Sequence, residues 1–361
     1  MTKTRPARRE VGWARERALQ AAIGQIERSF GRGAIWRLDG APVPPVAVIP
    51  TGSLPLDLAP WVGGLPRGRI TEVHGPEGSG KTTLALSVVA QAQAAGGTAL
   101  YVDAEHALDP GYAARAGVDV GRLLVCQPDS GEHALDVVEL LLRAGVLDVA
   151  VIDSVPALVP RAELDGEMGD RLHHLQSVLM ARAMRKLAGV IATSGAVVVF
   201  CNQLREQVGV WAGGREYAPG GRALRHHASV RLDVRRVAAL NDGGEVVGAR
   251  TRVKVVKSKV GVPFRTAELD LFFHSGICRE GGLLDLGGDL GVITRTGPTL
   301  AYGQTRLGQG RAQARAFLRD HPDLAGRLDQ DLRARVGLGG VPEPAGPAQP
   351  GSHLCLVREA G

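Results

Sequence analysis

The chain has little of what would fix its class at a glance. Its four cysteines, Cys126, Cys201, Cys278 and Cys355, stand about 75 residues apart, without the close pairs of a zinc site or a redox motif. Reduced, structural thiols are expected. No window approaches eighteen uninterrupted apolar residues, and the first ten residues are basic without the apolar run of a signal peptide. A cytoplasmic protein with no membrane association is therefore expected. Lysine is scarce: only Lys3, Lys81, Lys186, Lys254, Lys257 and Lys259 against 37 arginines. A high-GC coding bias produces such a skew. It also singles out the surviving lysines, because a planar guanidinium does not always replace a compact ammonium.

What is present suits a globular α/β protein. Hydrophobic residues make up 44% of the 361 and charged residues 22%, too apolar for wholesale disorder. A net charge of +6 permits a polyanionic partner without demanding one. Leu19, Ala22, Ile23, Ile26 and Phe30 fall at helical spacing before Gly31. A short apolar stretch, 34–38, follows, then a proline-rich connection. This arm cannot bury its own apolar face, so it must pack on the same chain or on a neighbouring copy. From Thr51, strands expected at 70–74, 99–103, 123–127, 149–153 and 197–202 alternate with helices near 82–95, 110–116, 133–143 and 175–192. That order predicts a mostly parallel central sheet covered by helices. After Ser229, strands at 230–234, 249–256 and 267–273 predict antiparallel additions to the sheet. A small α/β unit follows, with Leu283–Leu286, a turn at Gly287–Gly288 and a helix over 312–318. The expected division is an arm over 1–42, a large α/β core over 43–278, a small C-terminal domain over 279–336 and a disordered tail over 337–361.

The strongest motif is Gly75-Pro76-Glu77-Gly78-Ser79-Gly80-Lys81-Thr82. It fits G-x-x-x-x-G-K-[ST] between an expected strand and an expected helix. Glycines let backbone N–H groups turn inward on phosphate oxygens, and the helix N-terminus adds to the field. Lys81 would reach the outer phosphates, and Thr82, followed by Thr83, would offer a hydroxyl to Mg²⁺. Asp153, ending the apolar run Val149–Ile152 and followed by Ser154, can hold Mg²⁺ through water. Glu105 would sit beside the loop if its strand neighbours the loop strand, and is the candidate general base; Asp103 and His106 are rivals. With no acceptor pocket or arginine-rich lid in view, ATP hydrolysis is preferred to phosphoryl transfer.

These residues, with 101–109, Asn202-Gln203, Lys257-Ser258-Lys259, Thr51-Gly52-Ser53, Gly220-Gly221 and 228–231, resemble the bacterial RecA recombinases. The likeness runs in order from about Leu19 to Asp320. It implies a RecA-like P-loop ATPase core and a helical ATP-dependent filament on single-stranded DNA. That filament pairs its strand with homologous duplex DNA and stimulates self-cleavage of the SOS repressor. The resemblance makes Glu105 the catalytic carboxylate and Gln203 the γ-phosphate sensor. It sets Asp109 and Tyr112 at the adenine, and brings Lys257 and Lys259 to the nucleotide of the adjacent subunit.

Two loops, 160–175 and 204–227, read as DNA-facing. The second interleaves arginines with Trp211 and Tyr217, which suits a backbone-tracking surface. Arg185, Arg205, Val208, Gly220 and Gly221 match the family's DNA-binding positions, and Arg222 is a further candidate. The sequence also departs from the family. Leu172-His173-His174 stands where a His-Met-Gly segment is usual, Val178 replaces an arginine, Ala212 an aromatic, Tyr217-Ala218-Pro219 a threonine run and His226-His227 an aromatic pair. The tail lacks an acidic run, so less restraint on DNA access is expected. Neither histidine pair has metal-ligand spacing; pH-dependent charge beside DNA phosphates is the expected effect. The alternative to a recombinase is an ATP-switched DNA-binding scaffold without efficient strand exchange.

Overall fold

The computed structural model describes residues 8–32, 34–35, 46–59, 62–167, 174–206, 216–217 and 220–337, with backbone alone at 8–12, 205–206 and 216–217. The apolar stretch 34–38 and the tail over 337–361, which the sequence leads one to expect to be disordered, lie largely outside these residues. The described chain divides into two units, the N-terminal helix in one and everything from Val46 onward in the other. Helix α1, Arg8–Phe30, makes up the first. Its C-terminus is closed by Gly31, whose N–H bonds the Glu27 carbonyl at 2.9 Å and whose φ of +94° suits only glycine well. Leu19 and Phe30 are exposed, while Ile23 and Ile26 of the same stripe are half-buried.

The second unit opens with strand β1 (Val48–Ile49), helix α2 (Leu54–Leu58), β2 (Leu65–Pro66), β3 (Arg69–Gly75) and helix α3 (Lys81–Ala94). It continues with β4 (Ala99–Asp103), α4 (Pro110–Arg115), β5 (Leu124–Cys126), α5 (Gly131–Arg143), β6 (Val149–Asp153), the short α6 (Arg161–Leu164), α7 (Leu175–Ser194) and β7 (Val197–Gln203). A two-residue ladder, β8 (Arg205–Glu206) with β9 (Glu216–Tyr217), precedes α8 (Arg222–His227). Next come β10 (Val230–Asp242), β11 (Glu245–Ser258), β12 (Thr266–Phe272) and β13 (Gly276–Ile277). Helix α9 (Arg279–Asp289), strands β14 (Ile293–Thr296), β15 (Thr299–Tyr302) and β16 (Thr305–Gln309), and helices α10 (Gly310–Asp320) and α11 (Pro322–Arg335) complete it.

Nine strands form the main sheet in the order β13-β12-β11-β10-β3-β7-β6-β4-β5. The six from β10 to β5 run parallel, and β11 to β13 extend the sheet as antiparallel hairpins. Continuous apolar runs such as Val149–Ile152 and Val197–Cys201 suit strands buried on both faces. Alternation then divides each run. Val149, Val151, Val197 and Val199 pack with α3 on one side, while Ala150, Ile152, Val198 and Phe200 pack with α5 and α7 on the other. A third core, around Leu283, Ile293, Leu318 and Leu328, holds the C-terminal elements together. Four charges join them to the sheet: Arg250 and Arg311 both pair with the buried Asp270 and with Asp285.

The C-terminal unit differs from the sequence expectation. Gly287 and Gly288 lie inside α9 rather than in a turn. A Cβ on Gly287 would come within 2.7 Å of Ile293 Cδ1, so close packing and not chain reversal requires the glycine. The β10–β11 hairpin is also longer than its apolar pattern, because its distal half, around Arg236–Ala239, is exposed.

Asp57 gave no sequence signal and is 1% exposed. It accepts hydrogen bonds from Thr51 N–H and Oγ1, both at 2.7 Å, with Arg333 of α11 at 4.0 Å. Burial pushes its carboxyl up to about 7, against the pull of Thr51 and Arg333. The folded protein therefore holds this proton more tightly than the unfolded chain between about pH 4 and 7. Stability contributed by this proton is full below that window and is lost as pH rises through it. Asp57→Asn is expected to remove this downward slope. Urea unfolding at several pH values checks it: a variant whose stability follows the wild-type slope would refute the assignment.

Candidate active site

The motif loop joins the end of β3 to the start of α3, where close packing explains its glycines. A Cβ on Gly75 would lie 2.1 Å from the Val234 carbonyl oxygen. One on Gly80, whose φ is +98°, would lie 2.2 Å from Leu271 Cδ1. Lys81 is 8% exposed, and its Nζ donates to the carbonyls of Pro76 (2.7 Å) and Gly75 (3.2 Å). Burial lowers its pKa, opposed by Cys201, Asp153, Glu105 and Glu77. Ser79 Oγ is buried without a hydrogen-bond partner. A costly buried ammonium and an unsatisfied hydroxyl in one glycine loop suit a phosphate oxygen.

Thr82 Oγ1 donates to Asp153 Oδ2 at 2.7 Å, and Tyr101 OH donates to the same oxygen at 2.7 Å. Burial raises the Asp153 pKa, and these two hydrogen bonds oppose it. This hydroxyl and carboxylate, at the end of a buried strand, form a hard oxygen pair that fits Mg²⁺. Tyr101 was missed from the sequence because it reads as an ordinary core residue of β4. Ser154 donates from Oγ to Glu105 Oε1, which also accepts from Gln203 Nε2 at 2.9 Å.

Glu105 arrives by a different route from the one its sequence suggests. Its strand β4 does not neighbour β3; β7 and β6 stand between them. The carboxylate instead reaches across the carboxyl ends of the strands, where Ser154 and Gln203 meet it. Its rival Asp103 is occupied. Asp103 Oδ1 accepts from Ala107 N–H, and Oδ2 accepts from Leu108 N–H and Gln127 Nε2, so Asp103 shapes the turn that carries Glu105. His106 is exposed at a φ of +54°.

A cavity of about 240 Å³ is lined by Thr82, Tyr101, Glu105, Asp109, Tyr112 and Asp153. Thr82 and Tyr112 also line a second, of about 230 Å³, with Lys81, Thr83, Phe272 and Phe273. Asp109 caps α4, accepting from Gly111 N–H at 2.8 Å, and Tyr112 OH is 2.6 Å from Thr83 Oγ1. Phe273, 56% exposed, was missed; an aromatic pair ending a strand was its only signal.

Lys257 and Lys259 lie elsewhere. Lys257 pairs with Arg231, itself opposite Glu72 in the middle of β3, and Lys259 N–H bonds the Ser229 carbonyl. Both therefore point away from this chain's own loop, toward the amino-terminal end of the parallel strands. Their Nζ atoms donate to backbone carbonyls at the end of α8, Lys257 to Arg225 and His226 and Lys259 to His226.

Of the DNA candidates, Gly220 and Gly221 start α8 at positive φ, packed against Val155, Met180 and Ser177. Arg222 and Arg185 are exposed. Val208 lies outside the described residues, and only the backbone of Arg205 is described. His226 and His227 are at the far end of α8, beside the two lysines rather than beside Gly220. Among the described residues no His, Cys, Asp or Glu cluster could hold a metal on its own, and no helix is long and apolar enough to cross a membrane.

Comparison with known proteins gives consistent matches. A family model of the RecA N-terminal domain matches residues 17–278, and one of the RecA C-terminal domain matches 281–337. Protein RecA of Frankia casuarinae is 55% identical over 328 residues, 91% of this chain and 95% of that protein. Protein RecA of Streptomyces avermitilis is 53% identical over 350 residues, 97% and 93% of the two chains. For protein RecA of Rubrobacter xylanophilus the identity is 55% over 326 residues, 90% and 95%.

Proposed function

Because the chain belongs to the RecA family and is itself an ATP-using recombinase, we propose that Gly75–Thr82 holds the triphosphate of ATP, with Lys81 on its outer phosphates. Thr82 directly and Asp153 through water would hold Mg²⁺, which neutralises phosphate charge when bound. Tyr112, which lines both cavities, stacks on the adenine, with Asp109 bordering the first cavity and Phe273 the second. Glu105 orients the attacking water and takes its proton, while Ser154 and Gln203 fix the carboxylate by donating to it.

The observation that carries this reading is the 2.9 Å hydrogen bond from Gln203 to Glu105. Gln203 ends β7, and the loop expected to face DNA leaves from that end. One side chain thus joins the hydrolytic carboxylate to the DNA-binding segment, so nucleotide state and DNA contact change together. Gly220, Gly221, Arg222, Arg185, Arg205 and Val208 form the single-strand surface in this reading, which a homologous duplex then approaches.

Assembly completes the picture. Lys257 and Lys259 face away from their own loop and reach the nucleotide of the next copy, so ATP joins protomers. The arm over 1–42 contributes to the same filament. The outer edge of β5, with Leu124 and Val125 exposed and no strand beyond it among the described residues, offers a ladder to an extended segment of a neighbouring copy. The core over 43–278 is followed by a small domain over 279–336 and a tail over 337–361. The ATP-bound filament stimulates SOS repressor self-cleavage in the cytoplasm.

Steady-state ATP hydrolysis, with and without single-stranded DNA, tests this reading, followed by strand exchange with the same preparation. Hydrolysis stimulated by DNA and joint-molecule formation are expected. Hydrolysis indifferent to DNA would remove the proposed link through Gln203.

A further inference from the structure

His226 and His227 have no role in this reading. They end α8 beside a hollow of about 340 Å³, lined among others by Arg69 of β3, Ala188 and Ile191 of α7, His226, His227 and Lys259. Among the described residues no carboxylate lines it. The two lysine Nζ atoms lie 2.7–3.2 Å from the terminal carbonyls of α8, whose partial negative charge is modest. Glu72 is the acidic group whose field reaches Lys257, and it is already paired with Arg231 and Asn202. Burial, then Lys259, His226, Lys257 and Arg185, lowers the His227 pKa. The facing groups are therefore Arg69 from β3, Arg185 from α7, His226 from α8, and Lys257 and Lys259 at the end of β11. All are cations or become so on protonation.

Like charges gathered without a counter-ion are held at a cost, and a tetrahedral dianion offsets it. Arg69 can present two N–H groups to adjacent oxygens, and Lys259 adds a point charge. An entering anion cancels the field that keeps a proton off His227, so anion and proton binding favour each other.

We propose that this hollow is a proton-linked phosphate site, in which Arg69, Lys259 and His227 take a phosphate group while His227 binds a proton from solvent. The group has two sources: free inorganic phosphate, or the terminal phosphate of a nucleotide seated on a second copy. Only the second source rests on the role of Lys257 and Lys259 proposed above.

Two measurements on the full chain decide the matter. With Mg-ADP filling the Gly75–Thr82 loop, inorganic phosphate is titrated calorimetrically in two buffers of different ionisation heat. Binding with proton uptake is expected. Arg69→Gln should weaken it roughly tenfold or more, and His227→Gln should bind without uptake. Assembly on a non-hydrolysable ATP analogue is followed separately by light scattering between pH 6 and 8. Wild type is expected to assemble more readily as pH falls, and His227→Gln to lose that dependence. A positive first arm assigns free phosphate, and a positive second arm the neighbour's nucleotide. Failure of both arms, or an unchanged proton response in His227→Gln, overturns the site. Normal analogue-driven assembly by Lys257→Ala would overturn the role of the lysines alone, leaving the calorimetric arm to decide the hollow.

Discussion

Glu105→Gln is expected to bind ATP normally and to lose roughly 10²- to 10⁴-fold in turnover. The amide keeps the size of the carboxylate and can still accept from Ser154 and Gln203 through its oxygen. What it cannot do is accept the proton of the attacking water. The effect should therefore fall on kcat and leave nucleotide affinity in place. Because both partners of Glu105 survive, the ATP-bound arrangement of Gln203 should persist, and DNA complexes should last longer than in wild type. Nucleotide binding, single-turnover hydrolysis and DNA dissociation on one preparation check this. Near-normal turnover would pass the base role to another group, and Asp103 is a poor heir because its oxygens are already engaged.

Lys81→Ala is expected to act on binding instead. The ammonium is held in the free protein by two carbonyls, and burial works against its charge. Removing it should leave the nucleotide-free thermal midpoint nearly unchanged. ATP affinity should fall roughly 10²-fold or more, since an enclosed charge pair is lost. At a nucleotide concentration 100 times the wild-type Kd, ligand stabilisation of about 2.7 kcal/mol should shrink to a few tenths. Thermal unfolding with and without Mg-ATP checks both halves. Retained stabilisation by nucleotide would dissociate Lys81 from the phosphates and take the rest of the site with it.

How far the sequence carried these conclusions depended on whether a signal was local. The parallel strands were legible because Val149–Ile152 and Val197–Cys201 are buried on both faces, so their apolar runs are unbroken. Strands β14 to β16 were not, since they are short and mostly half-exposed or exposed, which blurs alternation. The glycine loop joining β3 to α3 was legible because its pattern sits in eight consecutive residues. The approach of Glu105 was not, because strand order is a property of the whole sheet. Tyr101 and Asp57 were lost for a related reason. Each is polar only at its tip and looks like core or turn until its partner, Asp153 or Thr51, is placed beside it.

Helix α8 begins at Gly220–Gly221 near the carboxyl ends of the strands and finishes at His227 near their amino ends. Its six residues rise about 9 Å, and a helix this short does not bend. It behaves as a strut with its feet on two floors of the building. Its upper end rests on the Gly220–Gly221 turn, and its last carbonyls are held below by Lys257 and Lys259. A shift at its glycine end is therefore expected to carry to those two ammonium groups.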